Sequence, residues 1–291
     1  MKVLLPVLML LIAAYLPAQQ HTEKIRKDLI LPSGEAAFLI VNNINGGVEV
    51  EAYDGSGIQL EVTKTISGSN IERGKEEVDL GIFQRGNTIV LYMDAPCHRG
   101  DLSGISNEEL WEEWKMFWKD DCKWEPEYEY ELDYRIRVPR QTDMRLSTVN
   151  KGDIRVAGVS GRIKANNVNG AITLDNIEGR VEAHTINGDL DVWYSSNPVV
   201  DSRYYTLNGD INAHYHPGLS ADLYFKSFNG EFYTDLDKVQ LLPMKLKKEP
   251  VSGKRGVSMK IGGEKGIRAG SGGVDLKFET FNGDVYIHEQ Q

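Results

Sequence analysis

Glycine recurs every nine residues between positions 148 and 192, and this period constrains the fold more than any other feature of the sequence. The repeating glycines are Gly152, Gly161, Gly170, Gly179 and Gly188. A branched aliphatic residue follows two positions after each glycine, and a small or apolar residue follows two positions later. Side chains two residues apart lie on the same face of a β-strand. Each unit therefore predicts one short strand with an apolar face, bounded by a turn.

The turn signature also occurs outside this stretch, in the form apolar-Asn-Gly. Copies lie near the start of the chain, at two positions 21 residues apart after the nine-residue repeats, and near the end. Asn and Gly supply the positive φ values that tight turns require. The structural turn residues that the pattern predicts are Asn45, Gly46, Gly152, Gly161, Asn169, Gly170, Gly179, Asn187, Gly188, Asn208, Gly209, Asn229, Gly230, Asn282 and Gly283. We therefore expect one local geometry to be used along the whole chain.

Two architectures can use such units. An antiparallel meander would form a hairpin at each Asn-Gly, whereas a β-solenoid, a parallel β-helix-like stack, would lay successive units as the sides of a coil. Ile172 and Leu174 share a strand face, but Ile177 falls out of this alternation, so a bend must come before the next glycine. A plain meander needs no such recurrent bend. The sequence therefore favours an all-β fold of solenoid type, with the meander as the alternative.

The amino terminus has the composition of a secretory signal peptide. Lys2 precedes an almost unbroken apolar run over residues 3–15, and Ala18 offers a small residue at which cleavage can occur. This run is too short to span a bilayer stably, and no later stretch is apolar enough to do so. We therefore expect a signal peptide over residues 1–18 and an exported mature chain without a transmembrane span, located in the periplasm, on the cell surface or outside the cell.

Composition and motifs exclude several functional classes. A net charge of -10 is unfavourable for binding nucleic acid, and 2 cysteines are too few for a disulfide-dense scaffold or a zinc site built from several thiolates. The sequence has no nucleophile elbow, phosphate-binding loop or zinc-protease motif. His214 and His216 share a strand face and could begin a metal site, but no third ligand is evident nearby. We therefore predict no catalytic residue, metal or cofactor.

One segment, between Cys97 and Cys122, departs from the repeats and is rich in acidic and aromatic residues. Ser106 and Glu109 have the spacing of a helix capping box, and aromatic residues follow at helical spacing. In an exported protein the two cysteines are expected to form a disulfide that staples this insertion to the β body, with two free thiols as the alternative. Outside the signal peptide we thus expect a single repetitive β domain over residues 25–291, with a helical insertion at residues 97–133.

The aromatic stripe of the insertion has two interpretations. It could bind a partner, because Trp and Phe contribute much of the energy of protein interfaces. The candidate partner-binding residues are Trp111, Trp114, Phe117 and Trp118. Alternatively, the stripe covers a sheet face or the open end of the coil. The sequence favours the covering role and leaves the binding role open.

Two segments that flank the repeats carry a family resemblance. The run from Tyr134 to Pro139 and the residues Met144 to Leu146 precede the repeats, and Gly270 to Val274 lead into the last Asn-Gly turn. Together with the repeats, they resemble the bacterial putative-adhesin family of unknown function, β-solenoid proteins akin to the head-GIN adhesin-like domains of Bacteroidetes envelopes. The resemblance covers about residues 30–290. It implies a repetitive surface or periplasmic protein and offers no catalytic residues.

The sequence thus predicts a non-enzymatic, exported cell-envelope protein, an adhesin-like binding scaffold for an envelope protein or a cell-wall or other glycan ligand. A ladder of strands suits extended, repetitive ligands. A polysaccharide-active enzyme is the alternative, and it requires converging carboxylates. The nearest candidates are Asp189, Asp191 and Asp210, but the first two flank Leu190 and so point away from the apolar face. An envelope-stress signalling component that binds a membrane protein is a further alternative.

Overall fold

The computed structural model describes residues 20–32, 36–98, 102–112, 122–243, 245–253 and 256–290, and for residues 112, 245–253 and 256–264 it describes the backbone alone. The signal peptide expected at residues 1–18 lies outside the described residues. So do three of the candidate partner-binding residues, Trp114, Phe117 and Trp118.

The described residues form strands and two short helices. The first part of the chain contains β1 (Gln20–Leu29), β2 (Ala37–Asn42), β3 (Val48–Tyr53), β4 (Ile58–Gly68), α1 (Ile71–Glu77), β5 (Asp79–Arg85), β6 (Thr88–Asp94), α2 (Asn107–Glu112), β7 (Tyr128–Pro139) and β8 (Thr142–Thr148). The repeats form β9 (Ile154–Ala157), β10 (Ile163–Asn167), β11 (Ile172–Ile177), β12 (Val181–Asn187), β13 (Leu190–Tyr194), β14 (Ser202–Asn208) and β15 (Ile211–Tyr215). The last part contains β16 (Ala221–Asn229), β17 (Phe232–Thr234), β18 (Val239–Leu241), β19 (Lys245–Gly253), β20 (Gly256–Ala269), β21 (Val274–Asn282) and β22 (Val285–Glu289).

The strands form two large mixed sheets, so the all-β class is confirmed. Sheet A has the order β1-β4-β7-β3-β9-β11-β13-β15-β22-β17. Sheet B has the order β18-β20-β16-β21-β14-β12-β10-β8-β2-β6-β5, and β19 pairs with β20. The outer strands at the amino-terminal side, such as β1 on β4 and β5 on β6, pair antiparallel.

Within the repeats the chain alternates between the two sheets. Each strand pairs in parallel with the strand two units further on, so Ile154 of β9 lies opposite Ile172 of β11, which lies opposite Leu190 of β13. In sheet B, Met144, Ile163 and Val181 align in the same way. The antiparallel meander is therefore wrong for this stretch, because the glycines mark corners between sheets and not hairpins within one sheet.

We use the word rung for one strand of sheet B, the corner that follows it and the next strand of sheet A. The described residues contain seven rungs, in the spatial order β2/β3, β8/β9, β10/β11, β12/β13, β14/β15, β21/β22 and β16/β17. The rung made by the carboxyl-terminal strands thus lies inside the stack, between two rungs that precede it in the chain.

The apolar positions of the repeats fill the space between the sheets. Ile154, Ile163, Ile172, Val181 and Leu190 are each at most 1% exposed and belong to one large hydrophobic cluster. The expected bend before the next glycine is confirmed, because the pairing register shifts between Leu174 and Ile177 and Asn176 has a positive φ of 51°.

Glycine is required at the corners mainly because the rungs approach closely there. Gly46, Gly179, Gly209 and Gly283 have positive φ, as expected for turns. Positive φ is absent from the predicted turn Asn residues and from five predicted turn glycines, Gly152, Gly161, Gly170, Gly188 and Gly230. A Cβ atom on Gly170 would lie 2.3 Å from the carbonyl oxygen of Gly152, and one on Gly188 would lie 2.3 Å from that of Gly170. At these five glycines the predicted reason, positive φ, is wrong, and close approach of a neighbouring backbone replaces it.

The Cys-flanked insertion is attached to the outside of sheet B. The predicted disulfide between Cys97 and Cys122 is present. The predicted capping box is also present, since the Ser106 N–H donates to Glu109 Oε2 over 2.8 Å and the Glu109 N–H donates to Ser106 Oγ over 3.2 Å. Leu110 of α2 is fully buried in a small cluster with residues of β2 and β6. The helix α1 was not predicted from the sequence.

Candidate functional site

The corner between sheet B and sheet A is held by a ladder of asparagine side chains. In each case the amide nitrogen of one Asn donates to the amide oxygen of the Asn in the neighbouring rung, over 2.7–3.3 Å. In spatial order the ladder consists of Asn45, Asn150, Asn169, Asn187, Asn208, Asn282 and Asn229. The Asn residues predicted for turns therefore also connect rungs that are far apart in sequence.

A second ladder follows the corner glycines. Asp153 Oδ1 accepts the Ala171 N–H over 3.0 Å, and Asp189 Oδ1 accepts the Asp210 N–H over 2.9 Å. Asp210 and Asp284 accept N–H groups of their own neighbouring rungs in the same manner. Each of these four aspartates caps a backbone N–H group, and each cap joins one rung to the next.

A row of apolar side chains lies on the outer side of the same corner, one residue before each ladder Asn. We call it the outer row: Ile44, Val149, Val168, Ile186, Leu207, Phe281 and Phe228. Most of its members are half-buried, but Phe281 and Phe228 are 43% and 74% exposed, and their rings stack at 4.8 Å. Side chains at the opposite corner, Val159 and Ile177, face the core instead. Successive glycines lie alternately at the corner from sheet B to sheet A and at the corner from sheet A back to sheet B. The outer row belongs to the first of these corners, and Val159 and Ile177 belong to the second.

The amino-terminal end of the outer row forms one wall of a groove of about 600 Å³. We call it the Trp124 groove, and its apolar lining residues are Ile44, Val149, Val168, Ile186, Trp124, Pro126 and Tyr130. The facing wall, residues 124–130, is the chain segment that returns from the disulfide into β7. The groove crosses the rungs of β2, β8, β10 and β12, so its long direction runs across the strands.

The wall of the groove is fixed by hydrogen bonds from α1. Glu77 Oε2 accepts the Trp124 indole N–H over 3.1 Å and the Tyr128 hydroxyl over 2.8 Å. The pKa of Glu77 is lowered, first by its hydrogen bond with Arg73 and then by those with Tyr128 and Trp124, so the carboxylate is charged at neutral pH. Trp124 also stacks on Tyr130 with a ring separation of 5.4 Å. The indole therefore has a defined position.

Two buried amides distinguish the groove from the rest of the corner. At four rungs the residue two positions before the corner Asn is a threonine whose hydroxyl donates to a glycine carbonyl of a neighbouring rung or corner; these residues are Thr148, Thr185, Thr206 and Thr280. At the β2 and β10 rungs this position is occupied by Asn43 and Asn167. Both line the groove and are 1% and 3% exposed.

In Asn43 and Asn167 the amide nitrogen makes hydrogen bonds within the protein, but the amide oxygen does not. Asn43 Nδ2 donates to the carbonyl oxygens of Gly46 and Leu132, and Asn167 Nδ2 donates to those of Gly152 and Ala171. Their Oδ1 atoms have no hydrogen-bond partner among the described residues. A buried acceptor without a partner costs about 1–3 kcal/mol. Both oxygens are enclosed by protein atoms and are not accessible from the groove, so this cost belongs to the fold itself.

Trp111, the one described member of the predicted partner-binding set, lies elsewhere on sheet B. Its ring packs on Phe38 at 5.3 Å and lies under the Arg162 guanidinium at 4.7 Å. Trp111 is half-buried at the side of a separate cleft that also contains Arg180 and Glu182. These contacts place this part of the insertion as a cover over the outer face of the sheet.

The other residues considered from sequence take structural positions. His214 stacks between Trp193 and His288 at ring separations of 4.6 and 4.8 Å, whereas His216 lies beyond the end of β15. Asp191 Oδ1 accepts the Asn212 side-chain amide over 2.8 Å. Among the described residues, no group of three or more His, Cys, Asp or Glu side chains could hold a metal ion.

Sequence reasoning missed the residues that define the groove. Neither Trp124 nor the outer row was predicted from the sequence to line a site. The sequence does contain one signal, since Asn replaces Thr at equivalent positions of the repeats. It becomes informative only once the rungs are aligned in space.

The fold and the groove define an all-β protein with a preformed, ligand-sized cleft. No family model and no curated protein matches the sequence. A putative cell adhesion protein from Clostridium sporogenes is similar over 93% of this chain and 100% of its own, with 9% identity and a TM-score of 0.46. A putative adhesin from Bacteroides fragilis covers 91% of this chain and 97% of its own, with 7% identity and a TM-score of 0.36. A putative lipid binding protein from Parabacteroides distasonis covers 94% and 97%, with 12% identity and a TM-score of 0.28.

In the part of the chain that the structure describes, no helix has the length and apolar character needed to cross a membrane.

Proposed function

We propose that this chain is an exported, non-enzymatic cell-envelope protein that binds a ligand in the Trp124 groove. The observation that carries the proposal is the preformed groove of about 600 Å³, whose lining is mostly apolar and whose Trp124 is held in place by Glu77 and Tyr130. Binding sites typically combine a mostly apolar lining with a few placed polar groups. The groove has this composition.

The scaffold in this proposal is a β-solenoid over residues 25–291, with a signal peptide at residues 1–18 and an insertion at residues 97–133. Parallel pairing of every second repeat strand and alternation between two sheets support this architecture. Such a stack places equivalent side chains about 4.8 Å apart. Corner ladders of Asn and Asp keep that spacing rigid, so the groove is formed before the ligand arrives.

Export is supported by the disulfide and by the composition of the first residues. A disulfide such as Cys97–Cys122 persists in oxidising compartments and is rare in the cytosol. We place the protein in the periplasm, on the cell surface or outside the cell. Trp111, Trp114, Phe117 and Trp118 form a proposed second contact surface, for an envelope protein.

Binding without catalysis is supported by the use of the carboxylates. Asp189 and Asp210 both cap backbone N–H groups of neighbouring rungs, and Asp191 accepts the side-chain amide of Asn212. Glycoside hydrolysis requires a pair of carboxyl groups facing the same bond, one of them free to transfer a proton. The three carboxylates named from sequence are engaged in holding the stack.

A neutral, environment-sensitive dye such as Nile red tests whether the groove accepts a ligand. Val168→Phe fills the groove, whereas Leu207→Phe makes the same type of change in the outer row beyond it. We expect the native chain and Leu207→Phe to bind the dye with blue-shifted emission, and Val168→Phe to bind at least about tenfold more weakly, a change of 1.4 kcal/mol. Equal binding by both variants would show that the dye is not in the groove and would contradict the proposal.

A further inference from the structure

We infer that the β16/β17 end of the stack binds an extended segment of a partner polypeptide, which adds to sheet A as one further corner and strand. β17 is the last strand of sheet A. β16 pairs with β20 through residues 221–225 only, so residues 226–229 pair with β21 alone among the described strands. We call residues 226–234 the open end. It lies at the opposite end of the stack from the Trp124 groove, which crosses the rungs of β2, β8, β10 and β12.

The backbone of the open end repeats the contact by which each rung holds the next one. In the stack, the residue two positions after the corner glycine donates its N–H to a carbonyl oxygen of the next rung, over 2.9–3.0 Å. The donor and acceptor residues are Ile172 and Asp189, Leu190 and Asp210, Ile211 and Asp284, and Val285 and Glu231. In the last rung the equivalent residue is Phe232, so its N–H points away from β22. The Phe232 N–H can therefore bond a strand that is added beside β17.

Both side-chain ladders end here with an acceptor that no described residue uses. Asn229 Nδ2 donates to Asn282 Oδ1 over 2.9 Å, whereas Asn229 Oδ1 accepts from no described residue. Glu231 stands where Asp210 and Asp284 accept an N–H of the next rung, and its carboxylate likewise accepts from no described residue. The segment that fits must therefore supply an Asn side chain and a following backbone N–H. An apolar-Asn-Gly corner followed by a strand parallel to β17 supplies both.

Exposed apolar side chains are concentrated at this end of the stack. Of the eight large apolar side chains that are exposed among the described residues, five lie in the last two rungs and β18. They are Phe228, Tyr233, Val239, Leu241 and Phe281. Two rows of stacked rings also end here, since Phe228 stacks on Phe281 at 4.8 Å and Tyr233 stacks on Tyr286 at 5.1 Å. A further apolar side chain in each row would bury surface that now faces water.

The two edges of sheet A differ in their protection against pairing with another chain. β1, at the far edge, exposes five charged side chains, which are Glu23, Lys24, Arg26, Lys27 and Asp28. Charged edge strands discourage the addition of another strand. β17 has the sequence Phe-Tyr-Thr and carries no charge. The β17 edge therefore lacks the protection that the β1 edge has, which favours a partner at this end.

A second copy of this chain does not supply the required segment. Its first rung is covered by β7 in sheet A and by β6 in sheet B, and each of its inner rungs has a rung on either side. Two open ends brought together would present the same side-chain acceptors and no side-chain donor. The occupant is therefore a corner and strand of a different polypeptide, joined to β17 by β-strand addition.

A peptide of residues 206–215 of this chain serves as the probe, because it contains one complete corner and the strand β15. Its binding to the full chain is measured by fluorescence anisotropy, and amide hydrogen exchange locates the site. Thr234 lies two residues after Phe232, so its N–H points the same way, and Thr234→Pro removes a donor that no described residue uses. Thr234→Val keeps the N–H and is the matched control. A peptide carrying Asn208→Ala lacks the side-chain donor for Asn229.

We expect the peptide to bind with a dissociation constant below about 1 mM and to slow amide exchange in residues 230–234. Thr234→Pro and, separately, the Asn208→Ala peptide should each weaken binding about tenfold or more. Thr234→Val and the groove variant Val168→Phe should leave binding unchanged. Melting temperatures identify a variant that has lost its fold, and the Asn208→Ala peptide tests the inference on the native chain.

Four results would overturn the inference. The native chain could fail to bind the peptide at about 1 mM, or Thr234→Pro could bind it as well as Thr234→Val does. The Asn208→Ala peptide could bind as well as the native peptide, or Val168→Phe could weaken binding, which would place the peptide in the groove. In addition, sedimentation that shows a dimer of the chain, lost in Thr234→Pro, would assign the edge to a second copy and reject the partner polypeptide.

Discussion

The close approach of corner glycines predicts a large effect for Gly170→Ala. The added Cβ would lie 2.3 Å from the Gly152 carbonyl oxygen, more than 1 Å short of the 3.4 Å at which ordinary contacts begin. That oxygen is a backbone atom and already accepts the Asn167 side-chain amide over 3.1 Å, so it has little freedom to move. Overpacking of this kind costs about 1–3 kcal/mol. We expect a value near the upper end, because two rungs must separate to relieve the overlap.

The assay is thermal unfolding followed by circular dichroism and calorimetry. At about 2–4 °C per kcal/mol for a chain of this size, a loss of about 3 kcal/mol lowers the melting temperature by roughly 6–12 °C. Gly47→Ala is the matched control, since its Cβ would have its nearest neighbour at 3.4 Å and its φ is not positive. If Gly170→Ala melts within about 2 °C of Gly47→Ala, the rungs can separate freely and close stacking is not what requires glycine.

Two further predictions concern the ladder and the buried tyrosines. Asn187→Ala removes two side-chain hydrogen bonds, whereas Asn229→Ala removes one. In urea titrations we therefore expect Asn187→Ala to lower the free energy of unfolding by about 1–2 kcal/mol and Asn229→Ala to lower it by about half as much. Equal losses for the two variants would refute an additive ladder. Burial raises the pKa of Tyr194 from 10.0 to about 12. Because the folded state keeps this proton, stability is full below pH 10 and is lost from about pH 10 to 12, by about 1.4 kcal/mol at pH 11. Tyr194→Phe should show a correspondingly smaller loss between pH 9 and pH 11.

Much of the fold could be predicted because the period of the sequence equals the period of the structure. Ile172 and Leu174 are both fully buried, as the spacing of two residues predicts. The bend at Asn176 followed from a single residue, Ile177, that broke the alternation. These features depend on neighbours within a few residues, and local sequence specifies them.

The spatial order of the rungs could not be predicted, because the corners carry almost the same signature. Asn282 pairs with both Asn208 and Asn229, although one lies 74 residues away and the other 53. Any rung can in principle stack on any other when each offers an Asn, a glycine and an aliphatic strand. The choice depends on side chains that meet only in the folded state, such as Tyr204 and Phe278, whose rings stack at 4.9 Å.

The groove was hidden for a related reason. Asn43 and Asn167 stand where four other rungs carry threonine, and this equivalence is visible only once the rungs are aligned in space. Trp124 gains its role from Glu77, 47 residues earlier, on a helix that the sequence did not reveal. The candidate site is therefore a product of tertiary structure, whereas the scaffold that carries it is largely local.

The position of β21 and β22 inside the stack has a consequence for biosynthesis. A nascent polypeptide emerges amino-terminus first, so β16 and β17 exist before the two strands that separate them from β14 and β15. Until residues 274–289 are synthesised, the β14/β15 rung must either remain unpaired on that side or pair directly with the β16/β17 rung and separate from it later. Removing residues 274–289 would therefore take one rung out of the interior of the stack and leave the β16/β17 rung without the neighbour on which it packs.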